Sequence, residues 1–282
     1  MELTLEERVA ALERKLSARE AAEEPTEYYT SKYSGEEIDA LLDKAAGGGT
    51  SPRRNILDNW YFVGGGSQQG GGQFPINQRA ITSVNASNNL IDRWRIYRYV
   101  SGSATLTPNG INLSGDFDFG ESIESARLPN IPNLPVTISA LFSDGSFVST
   151  TSILSNNGDS EFITVPISSN ASLDYTRNWQ SDIDLFAFSL KSNASIIPIA
   201  AKLELGSSQT LAYKDEGGNW QLFETPDYAE ELAKCQRYFQ LYSAADKRPA
   251  KAVDCRPTMR IDPTQGQLQI NAQTLYYNSA EL

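Results

Sequence analysis

The chain has 282 residues, of which 40% are hydrophobic and 10% aromatic, so it can bury a core and is not a disordered chain. Its formal net charge is −11 and no Lys/Arg-rich run occurs, which argues against nucleic acid or an anionic membrane as a partner. The absence of histidine removes the commonest general base and the commonest metal ligand. We therefore expect no cofactor and no enzymatic activity.

The amino-terminal segment is charged throughout and lacks the continuous apolar stretch of a signal peptide. No run approaches the ~18–20 apolar residues that span a bilayer. We expect synthesis in the cytosol and no membrane insertion.

A short coiled coil is predicted from about residue 5 to residue 20. Its apolar residues have a 4-3-4 spacing, which places Leu5, Val9, Leu12 and Leu16 at the a and d positions of a heptad. The seam covers barely two heptads, and the alternative is an amphipathic helix packed on its own domain. We expect self-association, because the charged residues that flank the seam suit a parallel homo-oligomer.

A second helix follows an acidic linker. Ser34 and Glu37 have the spacing of a capping box, and glycines at 47–49 end the helix. It is too short to stand alone in water, so its apolar face must pack on its copies or on the body that follows. That face consists of Ile38, Leu41, Leu42 and Ala45. We assign residues 1–46 to a helical oligomerisation and attachment stalk, 47–52 to a glycine-rich hinge and 53–282 to a β-rich head.

The head has the pattern of a mainly β fold. Short runs rich in Val, Ile, Phe and Tyr alternate with Asn, Gly, Ser and Pro about every ten residues. Asn55–Val63 is a predicted first strand, and Ile91–Val100 alternates as one strand. Further strands are predicted at Thr105–Leu106, Ile111–Asp118, Val136–Phe142, Ser160–Val165, Leu185–Leu190, Ile196–Leu205 and Trp220–Phe223, with strand-like pieces at Thr258–Ile261 and Gly266–Tyr277. This pattern favours a jelly-roll-like β-sandwich.

One helix interrupts the β pattern at Pro226–Tyr242. Its apolar residues recur with a 3.6-residue period, and Glu230 and Lys234 have the favourable i,i+4 orientation. Thr225 is the predicted N-cap. We expect this helix to lie across the sandwich, with Cys235 buried as a small core residue. A disulfide between Cys235 and Cys255 is left open by the sequence.

Several segments resemble fibre or tail proteins of bacterial viruses and prophages. They are, in order, YYTSKYSGEEIDALLDKA, RNILDNWYF, FPINQR, IDRW, AKLELGSSQTLA and PDYAEELAKCQRYFQLY. In that group a short helical stalk precedes a β-sandwich similar to carbohydrate-binding modules. The resemblance implies a trimeric virion appendage on the head, collar or tail, and it assigns no catalytic residue.

The resemblance and the residue patterns together predict a non-enzymatic virion fibre subunit, made in the host cytoplasm. The expected partners are its own copies in a homotrimer, other virion proteins through the amino-terminal region, and a bacterial surface glycan. Two alternatives stay open: a depolymerase that cleaves the polysaccharide, and a structural decoration protein without a ligand. A glycosidase needs two facing carboxylates, and no local pattern singles out a pair.

Aromatic residues are the natural contacts for a sugar ring. We assign Tyr175, Trp179, Tyr97 and Tyr99 as candidate ligand contacts, with Tyr175 and Trp179 in a polar loop, whereas Trp60 and Trp94 are predicted core residues. Trp220 is a further candidate.

The acidic segment GDFDFGESIE offers hard oxygen ligands, with Asp116, Asp118, Glu121 and Glu124 as calcium candidates. The alternative is that Asp116 and Asp118 face solvent from a strand while Phe117 and Phe119 face the core. Asp182 and Asp184 are predicted to face solvent in the same way. The loop Gly64–Gly72 lacks the residues of a phosphate loop and is interpreted as a surface loop.

Overall fold

The computed structural model describes residues 52–64, 74–78, 89–129, 131–156, 158, 160–242, 259, 263–270 and 273–280. The predicted stalk lies outside the described residues, and so do its apolar residues Leu5, Val9, Leu12, Leu16, Ile38, Leu41 and Leu42. Nearly all of the predicted hinge, nearly all of the glycine-rich loop and Cys255 also lie outside them.

The described residues form β-strands, one 3₁₀ turn (Ser125–Arg127) and one α-helix, α1 (Tyr228–Gln236). The strands are β1 (Asn89–Ile91), β2 (Trp94–Thr107), β3 (Gly110–Glu124), β4 (Leu134–Phe142), β5 (Phe147–Leu154), β6 (Ser160–Ser168), β7 (Ala171–Asn178), β8 (Ile183–Leu190), β9 (Ala194–Ile196), β10 (Pro198–Leu205), β11 (Ala212–Lys214), β12 (Trp220–Leu222), β13 (Phe239–Tyr242), β14 (Thr264–Ile270) and β15 (Gln273–Ser279).

Two antiparallel sheets dominate the described part of the chain. The larger sheet has the order β1-β2-β3-β8-β7-β6, with β9 also paired to β3, and the smaller sheet has the order β10-β4-β5. A hairpin, β11-β12, and a three-stranded sheet, β13-β15-β14, complete the set. The predicted mainly β fold class is confirmed, and the arrangement is consistent with a β-sandwich.

The predicted strand Asn55–Val63 runs as extended chain along β10. The Ile56 amide donates a hydrogen bond to the Leu203 carbonyl oxygen over 2.9 Å, and the Phe62 amide donates to the Ile199 carbonyl oxygen over 2.8 Å. The segment therefore extends the smaller sheet at the edge of β10.

One apolar core lies between the two principal sheets. Trp94 is fully buried in it, with ring centroids 4.9 Å from Phe62 and 5.3 Å from Phe119. Trp94 and Trp60, both predicted as core residues, are 0% and 4% exposed. The larger sheet thus directs one face inward, and period-two alternation directs the intervening side chains to its outer face.

The outer face of the smaller sheet is covered by the chain that follows β10. Lys202 and Glu204 alternate with core residues of β10, yet they are 1% and 0% exposed. The Lys202 ammonium donates to the Thr210 carbonyl oxygen over 3.1 Å, and the Thr210 amide donates to Glu204 over 2.6 Å. Trp220 stacks on Phe147 of β5 with ring centroids 4.2 Å apart, so the hairpin also packs on this sheet.

The predicted helix Pro226–Tyr242 is shorter than its apolar pattern indicates. Asp227, rather than Thr225, caps the helix by accepting a hydrogen bond from the Glu230 amide, and the chain leaves the helix after Gln236 to form β13. The carboxyl-terminal part of the apolar pattern therefore belongs to a strand, because pairing with β15 replaces the helical hydrogen bonds. The predicted Glu230–Lys234 ion pair is confirmed at 2.9 Å.

One strand prediction and one loop prediction are corrected. The alternating segment Ile91–Val100 is interrupted by a turn at Asp92 and Arg93, where Arg93 has a φ of 72°, and it contributes to both β1 and β2. The segment interpreted as a polar loop around Tyr175 forms most of β7.

Candidate ligand-binding face

The larger sheet has a second side that is turned away from the apolar core. It is made by the outward residues of β2, β3, β8, β7 and β6, which we call the outer face. Its best-defined row joins Arg95, Gly120, Ala187, Asp174 and Thr164 through consecutive strand pairings. Four strand spacings of about 4.8 Å make this row about 19 Å wide.

Small side chains form the floor of the outer face. Gly120 and Ala187 lie opposite each other, and Ser122 follows on β3. A Cβ atom at Gly120 would lie 2.3 Å from the Phe186 carbonyl oxygen and 2.8 Å from the Ala187 Cβ, so the close approach of β3 and β8 requires glycine. Gly120, Ser122 and Ala187 are all buried, so the larger side chains around them on this face cover the floor.

Arg95 and Tyr97 form one side of this floor. The Arg95 guanidinium lies over the Tyr97 ring, 4.5 Å from its centroid. The Tyr97 hydroxyl shares a 2.6 Å hydrogen bond with the Ser122 hydroxyl. Burial raises the pKa of Tyr97, which keeps its hydroxyl protonated at neutral pH. Tyr97 is thereby fixed as a half-buried ring beside the floor.

Phe162 stands at the opposite side of the outer face. It lies on β6 in the row Ser122–Leu185–Thr176–Phe162, and its side chain is 70% exposed. An exposed ring of this kind is suited to stacking on an apolar ligand face.

Only Tyr97 among the four aromatic candidates lies on the outer face. Tyr175 is fully buried and its hydroxyl donates to Asp184 over 2.9 Å, so its assignment as a ligand contact is wrong. Trp179 is half-buried and donates to Glu161 over 2.9 Å, while Tyr99 donates to the Gly102 carbonyl oxygen over 3.2 Å. Trp179 and Tyr99 also pack against the core.

The calcium candidates are separated by the sheet. Asp116 and Asp118 are half-buried and both accept hydrogen bonds from Arg98, whereas Glu121 is fully buried on the inner face. Phe117 is buried, as expected for the strand interpretation. Within the described ranges no group of three or more metal-ligating side chains is close enough to hold a metal ion.

A buried cluster of four charges lies at one end of the core. Arg93 contacts Asp58 at 3.3 Å and Glu121 at 3.2 Å, and Arg127 contacts Asp58 at 2.7 Å. The side chains of Asp58, Arg93 and Glu121 are at most 2% exposed. The Arg93 guanidinium also lies 3.5 Å from the centre of the Tyr238 ring, which follows α1. The cluster thus joins the segment Asn55–Val63, the turn between β1 and β2, β3, the 3₁₀ turn and the chain after α1.

The two carboxyl groups of this cluster respond differently to burial. Burial opposes ionisation of Asp58, but Arg127 and Arg93 outweigh it and lower the Asp58 pKa. Burial dominates at Glu121 and raises its pKa well above the usual 4.5, despite Arg93. Asp58 therefore stabilises the fold above its unfolded pKa and loses this contribution on acidification. The contribution of Glu121 has the opposite sign, because folding favours its protonated form.

Asp184 belongs to a second buried group, which corrects the expectation that it faces solvent. It accepts hydrogen bonds from Tyr175 and from Ser125, the latter over 2.9 Å, and it lies 3.3 Å from Arg177. Burial raises the Asp184 pKa although Arg177 opposes this change. These contacts link β7 and β8 to the 3₁₀ turn, and the side chains of Asp184 and Arg177 are buried.

No family model, curated protein or solved structure matches the chain at the threshold applied. Among the described residues, no helix combines the length and apolar character needed to cross a bilayer.

Three of the segments singled out in the sequence meet at the four-charge cluster. RNILDNWYF supplies Asp58, IDRW supplies Arg93, and the segment LAKCQRYF supplies Tyr238. A fourth, AKLELGSSQTLA, supplies the buried Lys202 and its partners. These polar residues are therefore explained by assembly of the body rather than by ligand contact.

Sequence reasoning did not identify Arg95, Phe162 or Asp174 as members of a site. The only available signal is that Arg95 and Tyr97 are two residues apart on an alternating strand, which places them on one side of it. Phe162 and Asp174 come from other strands and meet this pair only through sheet pairing.

Proposed function

We propose that this protein is a virion fibre subunit that attaches to the bacterial surface by binding a glycan on the outer face. The observation that supports the proposal is the placement of two aromatic rings, the exposed Phe162 and the half-buried Tyr97, on the outer face. The apolar face of a pyranose ring stacks on such rings, while flanking polar groups bind its hydroxyls.

The remaining expectations are part of the same proposal. We propose a jelly-roll-like connectivity, which is supported by the repeated passage of the chain between the two principal sheets, after β3, β5 and β9. The stalk at 1–46 would form a homotrimer and bind other virion proteins. Three linked copies of a weak site would raise avidity by a factor of about 10²–10⁴.

The test is binding of the full-length chain to bacterial envelope fractions and to their purified polysaccharides. Replacing Phe162 by Ala should weaken binding about fivefold, since an aromatic contact contributes about 1 kcal/mol. Ile153→Ala is the matched control, because Ile153 is 62% exposed on β5 of the other sheet. Equal losses in both variants, or no loss at Phe162, would contradict binding at the outer face.

The same samples separate the alternatives. Release of reducing ends from the polysaccharide would favour a depolymerase, and no binding to any envelope fraction would favour a decoration protein. Mass in solution tests the stalk: we expect a multiple of the 31.0 kDa chain, and weaker assembly after deletion of residues 1–46. A strictly monomeric full-length chain at micromolar concentration would count against the trimer.

A further inference from the structure

Arg95 is a half-buried arginine without an ion pair to a described residue, whereas Arg54 and Arg237, which also form none, are exposed. Arg53, Arg93, Arg98, Arg127 and Arg177 each lie within 4.0 Å of a carboxylate oxygen. Arg95 forms no ion pair with a described residue, and its buried Nε has no hydrogen-bond partner there. A partly buried cation without a carboxylate partner costs more than an exposed one, because water solvates it less completely.

The positions around Arg95 explain why no internal carboxylate reaches it. Its partner on β3 is Gly120, which has no side chain, and the next residue in the row is Ala187. Asp118, on the same face, is engaged by Arg98 through contacts of 3.0 Å. Glu121 points to the opposite side of the sheet. Arg95 therefore has no carboxylate partner among the described residues of this face.

The Tyr97 ring restricts the orientation of this cation. The Arg95 guanidinium lies 4.5 Å from the ring centroid, and the Tyr97 hydroxyl is hydrogen-bonded to Ser122. The Arg95 side chain is therefore partly ordered before a ligand binds, which lowers the entropic cost of binding. A planar guanidinium held in this way is suited to two parallel hydrogen bonds with an oxyanion.

We propose that Arg95 binds an oxyanion carried by a sugar residue, either the carboxylate of a uronic acid or a phosphate substituent. The proposal rests on the proposed glycan binding and specifies its ligand class. In this arrangement the anionic group of the sugar is directed to Arg95, on the β2 side of the outer face. Asp174, across the floor, would face the uncharged part of the ring.

The test compares methyl glucuronoside with methyl glucoside of the same anomeric form, using the full-length chain and ligand-observed NMR titration. The two sugars differ at one carbon, so their ratio of affinities isolates the carboxylate. We expect the acidic sugar to bind about tenfold more tightly, because a hydrogen bond to a charged group contributes upwards of about 1.5 kcal/mol. Raising the salt concentration should reduce this preference. Glucose 6-phosphate is the third probe.

Two substitutions at Arg95 and one control complete the design. Arg95→Gln should abolish the preference, and Arg95→Lys should retain part of it, because lysine keeps the charge without the planar pair of donors. Arg54→Gln is the control, since it removes one positive charge from an exposed position on the segment beside the smaller sheet. Thermal unfolding of each variant confirms that the fold is intact.

The outcomes separate this inference from the proposed function. Equal wild-type affinity for the two methyl glycosides, with envelope binding still dependent on Phe162, would overturn the role of Arg95 and leave glycan binding in place. Failure of both anionic sugars to bind at tens of millimolar would also overturn it, whatever the envelope assay gives. Preference for glucose 6-phosphate over the glucuronoside would assign the oxyanion as phosphate, and the reverse order would assign it as carboxylate.

Discussion

Replacement of Arg93 by Met removes the central cation of the buried four-charge cluster. Arg93 contacts Asp58 at 3.3 Å and Glu121 at 3.2 Å, and it donates to the Ser122 carbonyl oxygen over 2.6 Å. Methionine fills a similar volume but satisfies none of these acceptors. Asp58 keeps Arg127, whereas Glu121 loses its closest cationic partner and has Arg127 at 3.9 Å.

The expected loss of stability is about 3–5 kcal/mol, the usual cost of removing one partner from a buried ion pair. The charged side chain of Arg93 is 1% exposed, so solvent screening does not reduce this figure. Arg98→Met is the matched control, because Arg98 also contacts two carboxylates but its side chain is 38% exposed. The control should lose far less, since exposed ion pairs contribute little.

Urea unfolding followed by tryptophan fluorescence measures both variants. The Arg93 variant should unfold at a midpoint lower by about 1 M or more, with little change in the slope. If this variant does not fold at all, Glu121→Gln gives a milder perturbation of the same cluster. If Arg93→Met lowers the free energy of unfolding by no more than Arg98→Met does, the buried cluster does not stabilise the fold more than exposed ion pairs do, and the expected contribution of the cluster is refuted.

Three further predictions concern buried groups. At pH 7, Asp58→Asn should lower the free energy of unfolding more than Glu121→Gln does, because the fold favours ionised Asp58 and disfavours ionised Glu121. Urea unfolding measures both variants. A larger loss for Glu121→Gln would contradict the opposite pKa changes of the two groups. Gly120→Ala should cost about 1–3 kcal/mol by thermal unfolding, because its Cβ would lie 2.3 Å from a carbonyl oxygen, and an unchanged midpoint would contradict that contact. In the Cys255→Ser variant, Cys235 is the single remaining cysteine. It should react with a thiol reagent at pH 8 only when the chain unfolds, because Cys235 is buried and burial raises its pKa well above 9.0. Fast labelling of the folded protein would contradict the burial of Cys235.

Local sequence patterns predicted most of the strands in the central part of the chain. Val136–Phe142 and Leu185–Leu190 lie within β4 and β8, where apolar residues are dense enough to mark a strand. β7 was interpreted as a loop because its buried positions alternate with polar ones and one of them is Arg177. The period-two alternation of this segment favours a strand, whereas its polar residues favour a loop.

The helix shows how tertiary contacts override a periodic pattern. The apolar spacing continues from Tyr228 to Tyr242, yet pairing of Phe239–Tyr242 with β15 ends the helix at Gln236. The residues of α1 that become buried are Glu231 and Cys235. Glu231 accepts a hydrogen bond from the Asn59 amide over 2.7 Å, a contact between residues far apart in the chain.

The sequence by itself determined the mainly β class, the absence of histidine chemistry, the burial of Trp60 and Trp94 and the N-terminal half of the helix, because these follow from composition and from periodicities that act over a few residues. Only the tertiary structure decided that Tyr175 and Asp184 are enclosed, that Arg93 lies between Asp58 and Glu121, and that Arg95 lacks a carboxylate. The physical reason is that folding brings together residues 20 to 172 positions apart, and the charge, burial and exposure of each side chain depend on those neighbours.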